Sequence, residues 1–333
     1  MAQRVALVTG ASGEMGCLLI PALKAQGFEI VTLDIAPVPG DLGRQCREVV
    51  EGSILDSSLV KGLFQRHRPT HLFHLAAVLS TMAESDPDKA HRVNVEGTYG
   101  LFRLCADAPD LVRFLFPSSI AVYGLPDAET KNRQGAVKET EWTVPSAMYG
   151  CNKLYCELLG AYLSGRNPDG GRPPFDFRAI RFPGLISADT LPTGGTTDYA
   201  PEMIHAAAQG KPYDCFVAEE TRLPFMTMPD GVEALLRLAD ADPSALSTRV
   251  YNIQGFSASA GEIRAAVLER FPGARIGFRP AAARQAIVDS WPAGIDDSLA
   301  RRDWGLAPRH GMVEALDEYL VPALVERYAG KAV

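Results

Sequence analysis

Apolar and polar positions in the first half of the chain alternate between short unbroken apolar runs and stretches with helical spacing. Val5-Ala6-Leu7-Val8 is the first run, and the glycine-rich segment behind it opens a helix predicted to reach about residue 26. Residues 28–33 form a second run, closed by Asp34, and residues 47–52 fit a third strand. Helical spacing over 59–67 leads to a fourth strand at 71–76, then a long helix predicted over 87–108. A strand at 113–117, a helix that carries Tyr149 and a strand at 177–181 continue the alternation. Strands that are apolar throughout and alternate with helices imply a parallel sheet covered on both faces.

Past Gly184 the pattern breaks into proline- and glycine-rich loops, with short helices near 202–209 and 230–241. A run at 249–253 reads as one more strand of the main sheet. No internal repeat or low-complexity tract interrupts the chain.

Composition narrows the function classes. With 47% hydrophobic and 22% charged residues the chain reads as an ordinary globular enzyme. A net charge of −7 argues against a nucleic-acid surface, which needs clustered Lys and Arg. No apolar run approaches the roughly 18–20 residues of a membrane span, and the N-terminus enters a strand without a signal-peptide pattern. The six cysteines form no Cys-x-x-Cys pair and have no His at zinc spacing, so reduced thiols, no metal and a cytoplasmic location are expected.

Two local patterns suggest chemistry. Gly10, Gly13 and Gly16 follow a strand and open a helix, where glycines permit a tight turn, close approach to a pyrophosphate and helix–strand packing. Their spacing is Gly-x-x-Gly-x-x-Gly, and a plain glycine turn is the structural alternative. Asp34 ends the second strand, where a carboxylate can accept ribose hydroxyls and repel a 2′-phosphate, favouring NAD over NADP; a solvated strand-end acid is the alternative. Tyr149 and Lys153, at i and i+4, share one helix face, so the ammonium is expected to lower the pKa of the phenol and make it a proton carrier. The fold expected is α/β, a doubly wound parallel sheet of Rossmann type over residues 1–184. The later strand near 249–253 rejoins that sheet, and residues 185–333 supply mainly a smaller C-terminal substrate lobe that closes over the sheet's carboxyl edge.

Taken in order, Thr9-Gly10-Ala11-Ser12-Gly13-Glu14-Met15-Gly16, Gly52-Ser53-Ile54-Leu55-Asp56, His74-Leu75-Ala76-Ala77, Asn94-Val95-Glu96-Gly97-Thr98, Ser118-Ser119-Ile120-Ala121-Val122-Tyr123-Gly124 and Tyr149-Gly150-Cys151-Asn152-Lys153 make the chain resemble the extended short-chain dehydrogenase/reductase family. The resemblance implies catalysis by Ser119, Tyr149 and Lys153, with Ser119 positioning the alcohol. It places Met15 in the cofactor turn, Asp56 near the adenine, Leu75, Ala76 and Ala77 along the cofactor cleft, and Lys153 on the nicotinamide ribose. Asn94 is expected to anchor the helix on which a proton relay rests. A homodimer built on the helices near 87–108 and 149–163 is also implied.

The second half is similar to the short-chain L-threonine 3-dehydrogenase branch of that family, through residues 181–187, 194–200, 221–230, 289–292 and 296–305. That likeness implies oxidation of the 3-hydroxyl of L-threonine or a close 3-hydroxy acid, with Ser80, Ser119 and Gly184 at the substrate. Thr196 and Thr197 then offer hydroxyls and Asp198 a charge, unless these side chains only hold their own loop. Trp291 either closes the pocket or is a core aromatic, and Arg222 either binds an anion or is solvated. The chain departs from the branch at Thr193, where a third glycine is usual, at Ser119, where Thr is frequent, and in the long stretches 127–141 and 165–174. A nucleotide-sugar epimerase or dehydratase, a sugar-acid dehydrogenase and a non-catalytic NAD-binding protein are the rival readings.

Overall fold

The computed structural model of the protein describes residues 3–166, 173–192 and 195–329. Among these, the strands in chain order are β1 (Val5–Thr9), β2 (Glu29–Asp34), β3 (Glu48–Glu51), β4 (His71–His74), β5 (Arg113–Ser119), β6 (Ala136–Val137), β7 (Asp176–Phe182), β8 (Gly184–Ile186), β9 (Tyr213–Cys215), β10 (Arg222–Thr227), β11 (Val250–Asn252), β12 (Phe256–Ser259), β13 (Ile276–Phe278) and β14 (Gly294–Ile295). They divide between two compact units. The first gathers the described parts of Met1–Val122, Met148–Arg181 and Leu235–Tyr251, and the second those of Tyr123–Ala147, Phe182–Ala234 and Asn252–Val333.

The first unit is built on a seven-stranded sheet in the order β11-β7-β5-β4-β1-β2-β3. Its β1–β2, β1–β4, β2–β3 and β4–β5 pairs are parallel. Strand order reverses between β1 and β4, the switch point at which open α/β sheets bind ligands. Residues 5–9 are buried throughout, as a strand covered on both faces requires. An aromatic cluster fills one layer of the core: Phe102, Phe114, Phe175 and Phe177 have ring centroids 4.7–6.2 Å apart. Gly160 lets Phe177 approach the helix Met148–Gly165, since a Cβ there would lie 2.5 Å from the ring.

One predicted element differs in kind. The helix expected over 87–108 runs as Pro87–Ala90, then a π-helical segment His91–Gly97, then Thr98–Ala106. In the π segment the Asn94 carbonyl accepts from the Thr98 hydroxyl at 2.6 Å and from the Cys156 thiol at 3.2 Å. Side-chain donors of this kind relieve a carbonyl whose regular helical bond is displaced.

A second buried network secures the far end of β7. Arg178, fully buried, pairs with Asp176 at 2.7 Å and donates to the carbonyls of Leu238 at 2.6 Å and Ala241 at 2.7 Å. It thereby satisfies carbonyls at the end of the helix Met228–Asp240, where no intrahelical partner exists.

The second unit has smaller sheets. In the order β12-β10-β8, β10 is antiparallel to β12 and parallel to β8. The β13–β9 and β14–β6 pairs are both parallel. Residues 123–147 hold the later segment 288–291 by three bonds. Leu125 N–H reaches the Ser290 carbonyl at 2.7 Å, Ser146 meets the Ser290 hydroxyl at 2.7 Å, and the Lys131 ammonium reaches the Val288 carbonyl at 2.7 Å. No helix among the described residues is long and apolar enough to cross a membrane.

His71 in β4 packs edge-on against Phe28 and stacks with Phe73. Burial, with Arg113 and Arg4 adding repulsion, pulls its pKa down to about 3. The folded state therefore stays unprotonated at His71 while the unfolded chain takes up a proton below about 6.5. Stability present above that value is lost as pH falls toward 3. Replacing His71 with Phe should flatten the decline in urea-unfolding free energy between pH 7 and 5 by up to about 1.4 kcal/mol per pH unit. An unchanged slope would mean that His71 is protonated in the folded protein.

Candidate active site

The turn after β1 is shaped by backbone contact rather than by side chains. Gly10 has φ +71°, and a Cβ there would lie 2.5 Å from the Ala76 nitrogen, just past the end of β4. Gly16 is equally constrained, because its Cβ would lie 2.4 Å from the Ala11 carbonyl oxygen. Gly13 is the N-cap of the helix Glu14–Ala25 and offers no side-chain cap, so the positive end of a twelve-residue helix dipole lies at this turn, where an anion is favoured. Met15 is the second residue of that helix. Asp34 at the end of β2 steadies the turn: one carboxylate oxygen accepts from the Ser12 N–H at 2.9 Å and the other from Ala36 N–H at 3.0 Å. Each oxygen keeps a further lone pair for a ligand hydroxyl.

Beneath this turn lies His74, buried between two hydroxyls. Its Nδ1 meets Thr9 at 2.7 Å and its Nε2 meets Thr98 at 2.9 Å. Burial pulls its pKa down to about 3, with Lys153 acting in the same direction, so the ring stays neutral. Leu75, Ala76 and Ala77 follow β4 and are partly exposed. Asp56 is the N-cap of the helix Ser57–His67, accepting from Leu59 N–H at 2.9 Å. Asn94 clamps the chain beyond β4, accepting from Val78 N–H at 2.7 Å and donating to the Val78 carbonyl at 2.9 Å, while also donating to Asn152 at 3.2 Å.

The helix Met148–Gly165 packs on β5, whose last residue is Ser119, and carries Tyr149 one turn before Lys153. The Lys153 ammonium donates to the Pro117 carbonyl at 2.7 Å and lies 4.5 Å from the Phe116 ring centroid and 5.5 Å from that of Tyr149. Ser119 Oγ accepts from Ala121 N–H at 3.1 Å, which orients the hydroxyl.

The electrostatics correct one expectation. Burial pushes the Tyr149 phenol above its ordinary value of about 10. Burial also pulls Lys153 down to about 8, with Cys156 and Glu157 acting the other way. The spacing of Tyr149 and Lys153 shows that they share a face; it does not show how the surrounding protein shifts the phenol.

Spacing alone also missed a buried cluster under the same helix. Glu157 binds Arg181 of β7 at 2.7 Å and accepts from the Ser118 hydroxyl. A legible signal existed: Glu157 continues the 149–153 stripe by four residues, and Arg181 stands inside an otherwise apolar strand.

In the second unit, Gly184 opens β8 against Phe225, whose ring a Cβ would meet at 2.7 Å. Asp198 accepts from Gly195 N–H at 2.6 Å, so its carboxylate does hold its own loop. Thr196 is buried and Thr197 partly so, while Thr193 and Gly194 lie outside the described residues, as do 167–172. Trp291 is buried, with its indole N–H lacking a partner. Ser80, in the first unit, starts the helix Ser80–Ser85. Arg222 is engaged by Glu262 and the Ser257 carbonyl, which accounts for it structurally.

Comparison with known proteins agrees with this geometry. L-threonine 3-dehydrogenase from Bos taurus mitochondria is 34% identical over 91% of this chain and 78% of its own. The crystal structure of L-threonine dehydrogenase from Phytophthora infestans superposes with a TM-score of 0.86 at 32% identity, covering 99% of this chain and 100% of that one. A GalE-like L-threonine dehydrogenase from Cupriavidus necator, solved in a holo form, gives 0.83 at 33% identity over 95% and 99%. The model of the NAD dependent epimerase/dehydratase family matches residues 6–253, and with the glycine turn, the seven-stranded sheet and the Tyr149–Lys153 helix in place, the chain belongs to that family.

Proposed function

We propose that the protein oxidises the 3-hydroxyl of L-threonine, or of a close 3-hydroxy acid, using NAD. The reading is supported by Lys153, whose ammonium binds the Pro117 carbonyl two residues before Ser119 and lies 5.5 Å from the Tyr149 ring, in a chain whose relatives are named for that reaction. The cradle fits the cofactor: Gly10 and Gly16 leave no room for side chains, and the helix Glu14–Ala25 turns its positive dipole end to the place a phosphate would take. Asp34 would take the adenine ribose and disfavour a 2′-phosphate. Met15, Asp56, Leu75, Ala76, Ala77 and Asn94 complete the proposed cofactor set. NAD, when bound, supplies the hydride acceptor and one positive charge.

The chain's own residues handle the proton. Ser119 holds the alcohol oxygen by a hydrogen bond, and Tyr149 takes the hydroxyl proton as the carbon is oxidised. A phenol raised by burial needs nearby positive charge to ionise, and the Lys153 ammonium, 5.5 Å from its ring, acts in that direction. Ser80, Gly184, Thr196, Thr197, Asp198 and Trp291 are the proposed substrate residues. Of these, Trp291 offers a buried indole donor that a carboxylate would satisfy. The free cysteines suit a reducing, cytoplasmic setting.

A homodimer is proposed as well. Tyr155, Leu158 and Tyr162 are exposed at helical spacing on Met148–Gly165, and an apolar stripe of this kind is suited to a second copy. A structural relative at 31% identity and TM-score 0.86 is described as monomeric, so light scattering of the purified protein decides. Dimer mass, converted to monomer by Leu158→Lys, is the expected result.

Two further outcomes are expected. NADH should form with NAD and L-threonine in preference to other 3-hydroxy acids and sugar acids, and Tyr149→Phe should lower turnover by about 10²–10⁴-fold while NAD binding persists. Retained turnover would remove Tyr149 from the role, and tightly held NAD without net NADH would favour epimerase chemistry. Gly10→Val should abolish NAD binding in calorimetry, because the side chain meets the Ala76 backbone; unchanged affinity would displace the cofactor from this turn.

A further inference from the structure

The helix Met148–Gly165 carries three polar groups on one stripe, at 149, 153 and 157. The first two belong to the proposed reaction. Glu157 does not, yet its side chain is only 1% exposed and Arg181 is 5% exposed. Glu157 Oε1 accepts from Arg181 Nε at 3.0 Å, and Oε2 accepts from Nε at 3.2 Å and Nη2 at 2.7 Å. The Ser118 hydroxyl donates to Oε1. A buried ion pair contributes weakly to stability compared with well-packed apolar residues, so fold stability alone is a poor account of this one. Its contacts are better explained by what they hold.

We propose that Glu157 is a positioning residue of the oxidation site, fixing β5 and β7 against the helix so that Ser119 and Lys153 keep their alignment with Tyr149. This rests on the function proposed above and adds a residue to the same site. Three consecutive residues of β5 carry the argument. Lys153 binds the Pro117 carbonyl, Glu157 binds the Ser118 hydroxyl, and Ser119 bears the hydroxyl that meets the alcohol. A helix that slid along β5 would break both bonds at once. Two anchors from one stripe therefore set the distance from Ser119 to Tyr149.

The Glu157 charge has a second effect. Around the Lys153 ammonium stand the Pro117 carbonyl and Phe116 ring of β5, the neutral His74 of β4, and Tyr149, Cys156 and Glu157 of its own helix. Of the groups that act on the ammonium, Cys156 and Glu157 oppose the loss of its proton. Removing the Glu157 charge moves that loss to lower pH.

The test uses the full chain with NAD and L-threonine, or whichever other 3-hydroxy acid or sugar acid it turns over. Glu157→Gln should lower kcat by about a hundredfold through misplacement, leave substrate KM and NAD affinity within about twofold, and shift the alkaline limb of kcat to lower pH. Independently of activity, a ¹³Cε-lysine NMR titration assigned with Lys153→Arg should show Lys153 titrating at lower pH in Glu157→Gln. Unchanged kcat and an unmoved titration, with only a lower Tm, would reduce Glu157 to a structural ion pair and overturn the proposal. A shifted titration in a protein silent on every alcohol would keep the positioning contact and remove the proposed reaction. If Glu157→Gln fails to fold, Ser118→Ala leaves the Glu157–Arg181 pair intact. It should still lower kcat about tenfold without raising KM; a wild-type kcat there overturns the inference.

Discussion

Two backbones meet at the end of the central strands of the sheet, and no side chain fits between them. Gly10 leaves β1 in the left-handed region, with its Cα so close to the Ala76 amide that any other residue would have to displace β4. The constraint is steric and local, and much follows from it. It turns the chain at the point where strand order reverses, and aims the N-terminus of the helix Glu14–Ala25 back across the turn. Through Ser12 it also sets the place of Asp34. His74 supports the arrangement from below by tying Thr9 to Thr98, so β1, β4 and the helix Thr98–Ala106 are linked through one side chain.

The proton-handling groups depend on a different kind of contact. Lys153 and Glu157 bind a carbonyl and a hydroxyl near the end of β5, Asn94 binds the main chain beyond β4, and none of them is exposed. Burial raises the phenol and lowers the ammonium, which by themselves are unhelpful for proton transfer. The same burial strengthens every charge interaction near them. Groups as buried as Lys153 and Glu157 respond strongly to a single neighbouring charge added or removed.

Much of this was legible in the sequence, for identifiable reasons. The seven-stranded sheet was readable because buried parallel strands are apolar throughout, and even β11 declared itself at residues 249–253. The glycine turn and the Tyr149 helix were readable because steric necessity and helical spacing leave marks at fixed offsets. The second unit's sheets escaped notice because β6, β8 and β14 have only two or three residues each and stand among proline- and glycine-rich loops. The π segment at His91–Gly97 escaped because its cause is a displaced carbonyl bond, which no periodicity encodes. The direction of the Tyr149 shift escaped for a similar reason: spacing reports neighbours, while burial depends on the whole fold.

The strand order has a consequence for how the chain is made. After β1, the sheet first extends through β2 to β3, a four-residue strand flanked by Glu48 and Glu51 that makes a poor template for further pairing. Every later strand then joins the opposite side in the order in which a ribosome delivers it: β4, β5, β7, β11. No strand ever has to be inserted between two that are already paired. Vectorial synthesis thus adds to one growing edge at a time, until Val250–Asn252 emerges to become the outermost strand on that side.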